Sequence, residues 1–547
     1  MKKAGLRDIL NPRQIVTLII VLAVLAPLAV IFYSSLGASS DVWQHLYETV
    51  LSEIVTNTLW LAIGVGCGTI LLGTSLAVLT VFFRFPGQKF VETALILPLA
   101  IPTYVLGFVW IGLLDYSAAL PTFLRHYFDV NILSFFQIRS RAGVIIVMTL
   151  SLYPYVYLLA RNAFLTQPAS MWEAAASLGK RSGNIVSEVA IPMAKPWIFA
   201  GMLLVVMETV ADFGTVAVFN YDTFTTGIYK AWFGLFSLPA AMKLSSMLLG
   251  AVILFLFLEY LISGKERIYS VGKSERQIRK PVLLNGFWKV FAALYTMTVF
   301  LLSFMIPMVQ LCLWSFDVWG RDIDVRYFRF FSNTIILAGL AAVFTCFASM
   351  ILAYASRQSQ GKINSILPRF ATVGYAVPGA VLAVGIFSSS LWLDKQLINS
   401  VKRWGGIEMD PILTGSIFAM IFAYLVRFLA VAYKPINSAM KRITSRTEEV
   451  GRSLGVSGIR MIRKIHFPMV RGGVLTALLL VFIDVMKEMP ITLMMRPFGW
   501  ETLSVRIFEM TSEGEWERAA LPAVVLVIAG LIPVGLLMQR KVKLTET

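Results

Sequence analysis

Four carboxylates stand inside stretches that are otherwise apolar: Glu208 and Asp212, four residues apart, and Asp484 and Glu488, again four apart. On a helix, residues at that spacing share one face, so each pair would present two acids to one side. Carboxylate oxygens suit hard cations, and ionisable groups at membrane depth are costly enough to be functional or paired. The same spacing also suits helix packing or gating, and Lys487 and Arg427 lie where they could neutralise part of the charge. Softer chemistry has less support. Cys67, Cys312 and Cys346, like His45, His126 and His466, are scattered without paired spacing, which argues against a disulfide framework and a thiolate or imidazole metal centre. No metal site is assigned, and the 23 methionines carry no repeated motif.

The elements that must position these acids are membrane helices. Hydrophobic residues make up 57% of the 547-residue chain and charged residues 14%, well below the roughly 25% charged of soluble domains. Apolar runs long enough to cross a hydrocarbon core, about 20 residues each, fall near 15–36, 55–83, 90–114, 143–165, 196–220, 243–263, 289–313, 333–355, 368–392, 413–434, 472–496 and 518–539. That is an all-α polytopic protein of twelve spans. The first is read as a retained helix, since no small-residue cleavage site follows it. Pro102 and Pro378 lie inside the third and ninth spans and predict a kink or a discontinuity, kinking being the simpler role. The net charge of +17 is spread over short loops rather than gathered in a groove, which excludes nucleic acid as the partner. The sorting of Lys and Arg instead puts both termini of a multi-pass protein in the cytoplasm.

The chain repeats itself. Thr56-Asn57-Thr58 returns as Ser332-Asn333-Thr334, a shift of 276 residues, and the same shift carries Gly179 onto Gly455, Pro192 onto Pro468, Glu208 onto Asp484 and Asp212 onto Glu488. The spacing around the fourth and tenth spans reads as different, so insertions that cancel are expected there. Each copy holds six spans, an even number, so the two share one orientation: parallel repeats about an axis along the membrane normal. The domains are drawn at 1–263 and 289–547, joined by a basic cytoplasmic linker at 264–288.

After the fourth span stands Glu173-Ala174-Ala175-Ala176-Ser177-Leu178-Gly179, with Pro192 beyond it; the second copy runs from Glu449-Val450-Gly451 to Gly455, then Pro468. Ser170-x-x-Glu173 and Ser445-x-x-Glu448 read as capping boxes, Gly179 and Gly455 as helix ends, and the prolines as breaks before the next span. These residues resemble the EAA loop of binding-protein-dependent ABC importers, although Val450 and Gly451 depart from its Ala-Ala pattern. The resemblance implies the ABC importer permease fold. It also implies that Glu173, Ala174, Ala175, Gly179, Pro192, Glu449, Gly451, Gly455 and Pro468 couple the chain to two separate ATP-binding subunits.

Around the acids, Ala211-Asp212-Phe213-Gly214-Thr215-Val216 and Lys487-Glu488-Met489-Pro490-Ile491-Thr492 look like the fused permeases of ferric iron importers. This implies cargo handed over by a periplasmic or surface-anchored binding protein, with Glu208, Asp212, Asp484 and Glu488 as the candidate path. No Gly-x4-Gly-Lys-Ser/Thr phosphate loop occurs, so the chain is not read as an enzyme, and ATP and magnesium belong to the partners. Thiamine, a polyamine, sulfate or a phosphonate remain open as cargo within the same class. An ion-coupled secondary transporter using the acids as a relay is the alternative class.

Overall fold

The computed structural model describes residues 12–37, 40–116, 118–128, 137–180, 182–263, 281–357, 362–405, 410–456 and 458–545. Of the linker expected at 264–288, residues 264–280 lie outside the described residues. Helix dominates the described chain; the strands among them are two residues each, Phe83–Arg84 paired in parallel with Val282–Leu283. Only a helix satisfies every backbone polar group within one segment in lipid, so apolar runs of this length take that form. The outward faces of these helices carry large apolar side chains such as Leu59, Ile63 and Leu71, as a lipid solvent requires.

Ten described helices are long and apolar enough to cross a bilayer, and a bent pair makes an eleventh span. That pair, Gln88–Ala100 and Thr103–Leu114, turns by 96°. Of the kink and the discontinuity that Pro102 allows, kinking is the simpler, but the chain is discontinuous there. Ile101 and Pro102 are extended, with ψ of 121° and 143°, because the proline cannot supply a backbone donor and disfavours the helical region for the residue before it. Val377, before Pro378, is extended in the same way. Helix Trp516–Thr545 takes the place of the expected last span.

The described chain forms two compact units, neither of them continuous in sequence. One comprises the described residues among 1–47, 227–249 and 323–506. Its centre is the packing of Val325–Arg357, Ile417–Met440 and Phe467–Lys487, and helix Pro12–Ser35 lies against Gly379–Gly405. Gly385 permits that approach: a Cβ there would sit 2.9 Å from the Pro27 carbonyl oxygen. The other unit comprises the described residues among 48–226, 250–322 and 507–547. Leu51–Phe82, Arg141–Leu165 and Ile191–Ala211 form its centre, and Ile306–Asp322 packs along Trp516–Thr545. The Arg161 guanidinium donates to Glu92 at 2.7 Å, tying the first arm of the broken span to Arg141–Leu165.

The shift of 276 residues is kept in three dimensions. It relates helix Ala169–Ser177 to Ser445–Ser453 and Ile191–Ala211 to Phe467–Lys487, end for end. It also relates Ser140 to Ser416, each of which caps a helix by accepting a backbone N–H at 3.2 Å. The register therefore runs unbroken through the fourth and tenth spans, and the cancelling insertions expected there are absent. The offset changes later. Thr58 accepts the Phe224 N–H, whereas Thr334 accepts that of Leu503, a shift of 279. The additional residues fall after the acids, in the turn around Gly499.

Candidate functional site

Two features recur in both copies: a short helix ending in a glycine, and a membrane helix that breaks at an acid.

In the first knob, helix Ala169–Ser177 ends at Leu178, and Gly179 follows with φ of +78°. The Lys180 N–H donates to the Ala175 carbonyl and the Gly179 N–H to that of Ala176, at 3.1 and 2.9 Å. In the second, Gly455 has φ of +75°, and Val456 and Gly455 donate to Gly451 and Arg452. Both closures are the 6→1 and 5→2 pattern that a left-handed residue allows, as the glycines led one to expect. Glu173 and Glu449 are exposed, as are Ala174 and Val450. One residue before each glycine stands an outward leucine, Leu178 at 80% and Leu454 at 75% exposure. Solvent-facing leucines at matched positions are an unusual expense in a knob this small, and they give both knobs the same apolar tip.

Three expectations for the knobs are corrected. The capping box at Ser170 does not form, because the helix starts at Ala169 after Pro168 with no side-chain cap. The second knob is capped by Thr444, which accepts the Thr447 N–H. Glu448 is thereby released from capping and turns inward, where its Oε1 lies 3.1 Å from His466 Nε2 and its Oε2 3.6 Å from Arg452. Pro192 and Pro468 do not break the chain. Each sits in the first turn of a helix that runs on from π turns, Val186–Ala190 and Ile462–His466, whose wider hydrogen bonds absorb the missing donor.

The Val450-Gly451 departure also has a packing reason. Ala175 is buried in the first knob, while a Cβ on Gly451 would lie 2.5 Å from Ile465 and 3.1 Å from Met461. Ile465 stands where the first copy has Val189, and its additional Cδ1 is the closest atom to that Cβ, so the smaller residue offsets a larger neighbour.

The acids stand at the breaks. Helix Ile191–Ala211 stops where Asp212 turns extended, with ψ of 132°, and Phe467–Lys487 stops at Glu488, with ψ of 116°. Neither acid therefore continues the helical face that carries Glu208 or Asp484, which are half-buried one turn back. Asp212 points forward. Its Oδ1 accepts the N–H groups of Thr215 and Val216, at 2.9 and 3.3 Å, and its Oδ2 accepts the hydroxyls of Thr103 and Thr215, at 2.6 and 3.0 Å. Glu488 Oε2 lies 3.2 Å from Arg427 Nε, and its Oε1 accepts the Ile491 N–H at 3.2 Å. In each copy a hydroxyl closes the loop from behind: Thr225 donates to the Asp212 carbonyl and Ser504 to that of Glu488. Asn57 and Asn333 hold the same loops by donating to the Asp222 carbonyl and to those of Gly499 and Glu501. Among the described residues, no group of three or more His, Cys, Asp and Glu side chains is placed to hold a metal ion.

Sequence reasoning missed Thr103, Gly379 and the Glu448–His466 pair. Register comparison would have flagged the pair, because Glu448 and His466 occupy the places of the buried Trp172 and Ala190. Polar residues in slots that the other copy fills with apolar ones call for a partner.

A duplicated helical membrane protein with a glycine-closed knob and an acid-marked break in each copy is a transport permease. The chain belongs to the family described as the inner membrane component of binding-protein-dependent transport systems, which it matches twice, over residues 69–267 and 345–544. It is a permease of ABC importer type and an integral protein of the inner membrane. It is 29% identical to the Fe(3+)-transport system permease protein FbpB 2 of Haemophilus influenzae, over 90% of this chain and 91% of that one. It is 23% identical to the ferric transport system permease protein FbpB of Actinobacillus pleuropneumoniae, over 90% of this chain and 71% of that one. The putative 2-aminoethylphosphonate transport system permease protein PhnU of Salmonella choleraesuis is 27% identical over 38% of this chain and 76% of its own length.

Proposed function

We propose that this permease imports ferric iron, received from a periplasmic or surface-anchored binding protein and driven by two separate ATP-binding subunits seated on its two knobs. The observation that carries the cargo is the likeness to a ferric transport permease along 90% of the chain, through both repeats. The matched knobs support the coupling. Each offers an exposed acid, Glu173 or Glu449, beside an exposed leucine, Leu178 or Leu454, a small amphipathic tip suited to a groove on a partner. ATP and magnesium are held by those partners. The sequence repeats 1–263 and 289–547 supply one knob each, and Glu208, Asp212, Asp484 and Glu488 remain the candidate path residues.

A phosphonate cargo is the second reading, favoured by the likeness of about one repeat's length to the phosphonate permeases. Reconstitution with the cognate binding protein and ATPase subunits decides between them. The expected result is ATP-dependent uptake of ferric iron that needs the binding protein and survives an ionophore. Uptake of 2-aminoethylphosphonate in its place would change the cargo. Uptake without ATPase subunits that an ionophore abolishes would replace the class by ion-coupled transport.

A further inference from the structure

We propose that Arg427 is a positioning residue that neutralises Glu488 and fixes the second helix break, so that the equivalent acids of the two repeats do different work. Glu488 is a latch, and Asp212 is the acid whose charge remains for a cationic cargo. The latch stands on local geometry alone, while the role of Asp212 rests on the iron-import reading.

The two breaks share a register, and three positions change together between them. The first copy has Thr103, Ser151 and Asp212; the second has Gly379, Arg427 and Glu488. In the first, the Thr103 hydroxyl fills the space beside the shorter acid and donates to it at 2.6 Å. Every partner of the Asp212 carboxylate among the described residues is a neutral donor. In the second, a Cβ on Gly379 would lie 2.6 Å from Glu488 Oε1 and 2.7 Å from Arg427 Nη1. The glycine clears the volume that the guanidinium and carboxylate occupy. Arg427 also reaches within 3.5 Å of the Val377 carbonyl, at the extended residue before Pro378. One side chain therefore joins the break at 377–378 to the break at 488. The pair is nearly out of solvent, with side-chain exposures of 14% and 6%.

A buried ion pair behaves asymmetrically: removing one member strands a charge, whereas removing both can be nearly neutral. Sets of residues that satisfy one another should also exchange as sets and fail singly. The full permease, assembled with its ATPase subunits, is prepared as R427M, E488Q, R427M/E488Q and G379T, and as the triple variant G379T/R427S/E488D that recreates the first copy's set. Melting midpoint in detergent reads the latch without reference to cargo. Binding-protein-stimulated ATP hydrolysis per assembled complex reads whether the break is still set for coupling.

The expected pattern is a lowered midpoint in R427M, because removing one partner leaves an uncompensated buried charge, and about a tenfold loss of stimulation. The double variant should recover most of the midpoint, since charge balance returns, but not the stimulation, since the tie to Val377 is gone, and the triple should exceed G379T alone. R427M with wild-type midpoint and stimulation, or a double variant whose midpoint is no better than that of R427M, overturns the latch. If wild type itself shows no binding-protein stimulation, the import reading fails, and the midpoints still decide the latch. If stimulation recovers in the double variant along with the midpoint, Arg427 positions nothing and only balances charge, which also overturns the proposal.

Discussion

At the scale of single residues, the two acids at the helix breaks ask different things of a substitution. Asp212→Asn is nearly isosteric: its amide oxygen can keep the N–H groups of Thr215 and Val216, and its amide nitrogen can donate to the hydroxyl oxygens of Thr103 and Thr215. Only the charge is lost. Uptake of a cationic cargo should then fall several-fold while binding-protein-stimulated ATP hydrolysis persists, measured in the same vesicles. Loss of both together would assign Asp212 to gating. The acids were legible in the sequence because a carboxylate in an apolar run is conspicuous. Their partners were not, since Thr103 lies 109 residues from Asp212 and only the fold brings the hydroxyl to the carboxylate. Arg427 could be named as a neutralising charge, but its choice of Glu488 depends on the space left by Gly379.

At the scale of elements, the knobs show how a correct end can accompany an incorrect beginning. Their C-termini were readable because a glycine after a short helix has one common use, the left-handed closure seen at Gly179 and Gly455. Their N-termini were misread because the capping-box pattern fits at Ser170 and Ser445, one residue or more inside the helices that actually form. The distinction is measurable by hydrogen exchange across the knobs. Thr444→Ala should reduce protection of the second knob by about 1 kcal/mol, the usual worth of a cap, while Ser170→Ala leaves the first unchanged. The glycines test the other end. No atom lies within 4 Å of a Cβ built on Gly179 or Gly455, so Gly→Ala there costs only the backbone strain of a positive φ, about 1 kcal/mol. Gly→Val adds β-branching to that strain and should unwind the knob. Transport should fall while the protein still reaches the membrane, and the amount of ATPase subunit that co-purifies should fall with it. Normal transport by both valine variants would remove the knobs from coupling.

At the scale of the whole molecule, the duplication was legible because a constant register is a property of sequence. The composition of the compact units was not. Nothing in the local pattern of residues 12–35 says that this helix packs in a unit with 323–506, or that 286–322 belongs with 48–226. Apolar helices in lipid offer similar surfaces all round, and small close-contact residues such as Gly385 select their neighbours only once the chain is folded. Orientation, by contrast, is set outside the helices, by the charge of short loops. The segment 37–54 carries no Lys or Arg, whereas 264–288 carries Lys265, Arg267, Lys273, Arg276, Arg279 and Lys280. Translocating that connector would carry six positive charges against the orientation rule, and retaining it fixes every other loop by alternation. Single cysteines introduced at 37–54, at 264–288 and at the C-terminus, in a background lacking Cys67, Cys312 and Cys346, should then divide cleanly. An impermeant maleimide added to intact cells should label only the first, and the other two should react once the membrane is opened. The reverse pattern would put both knobs outside, away from any source of ATP, and the coupling proposal would fall with the orientation.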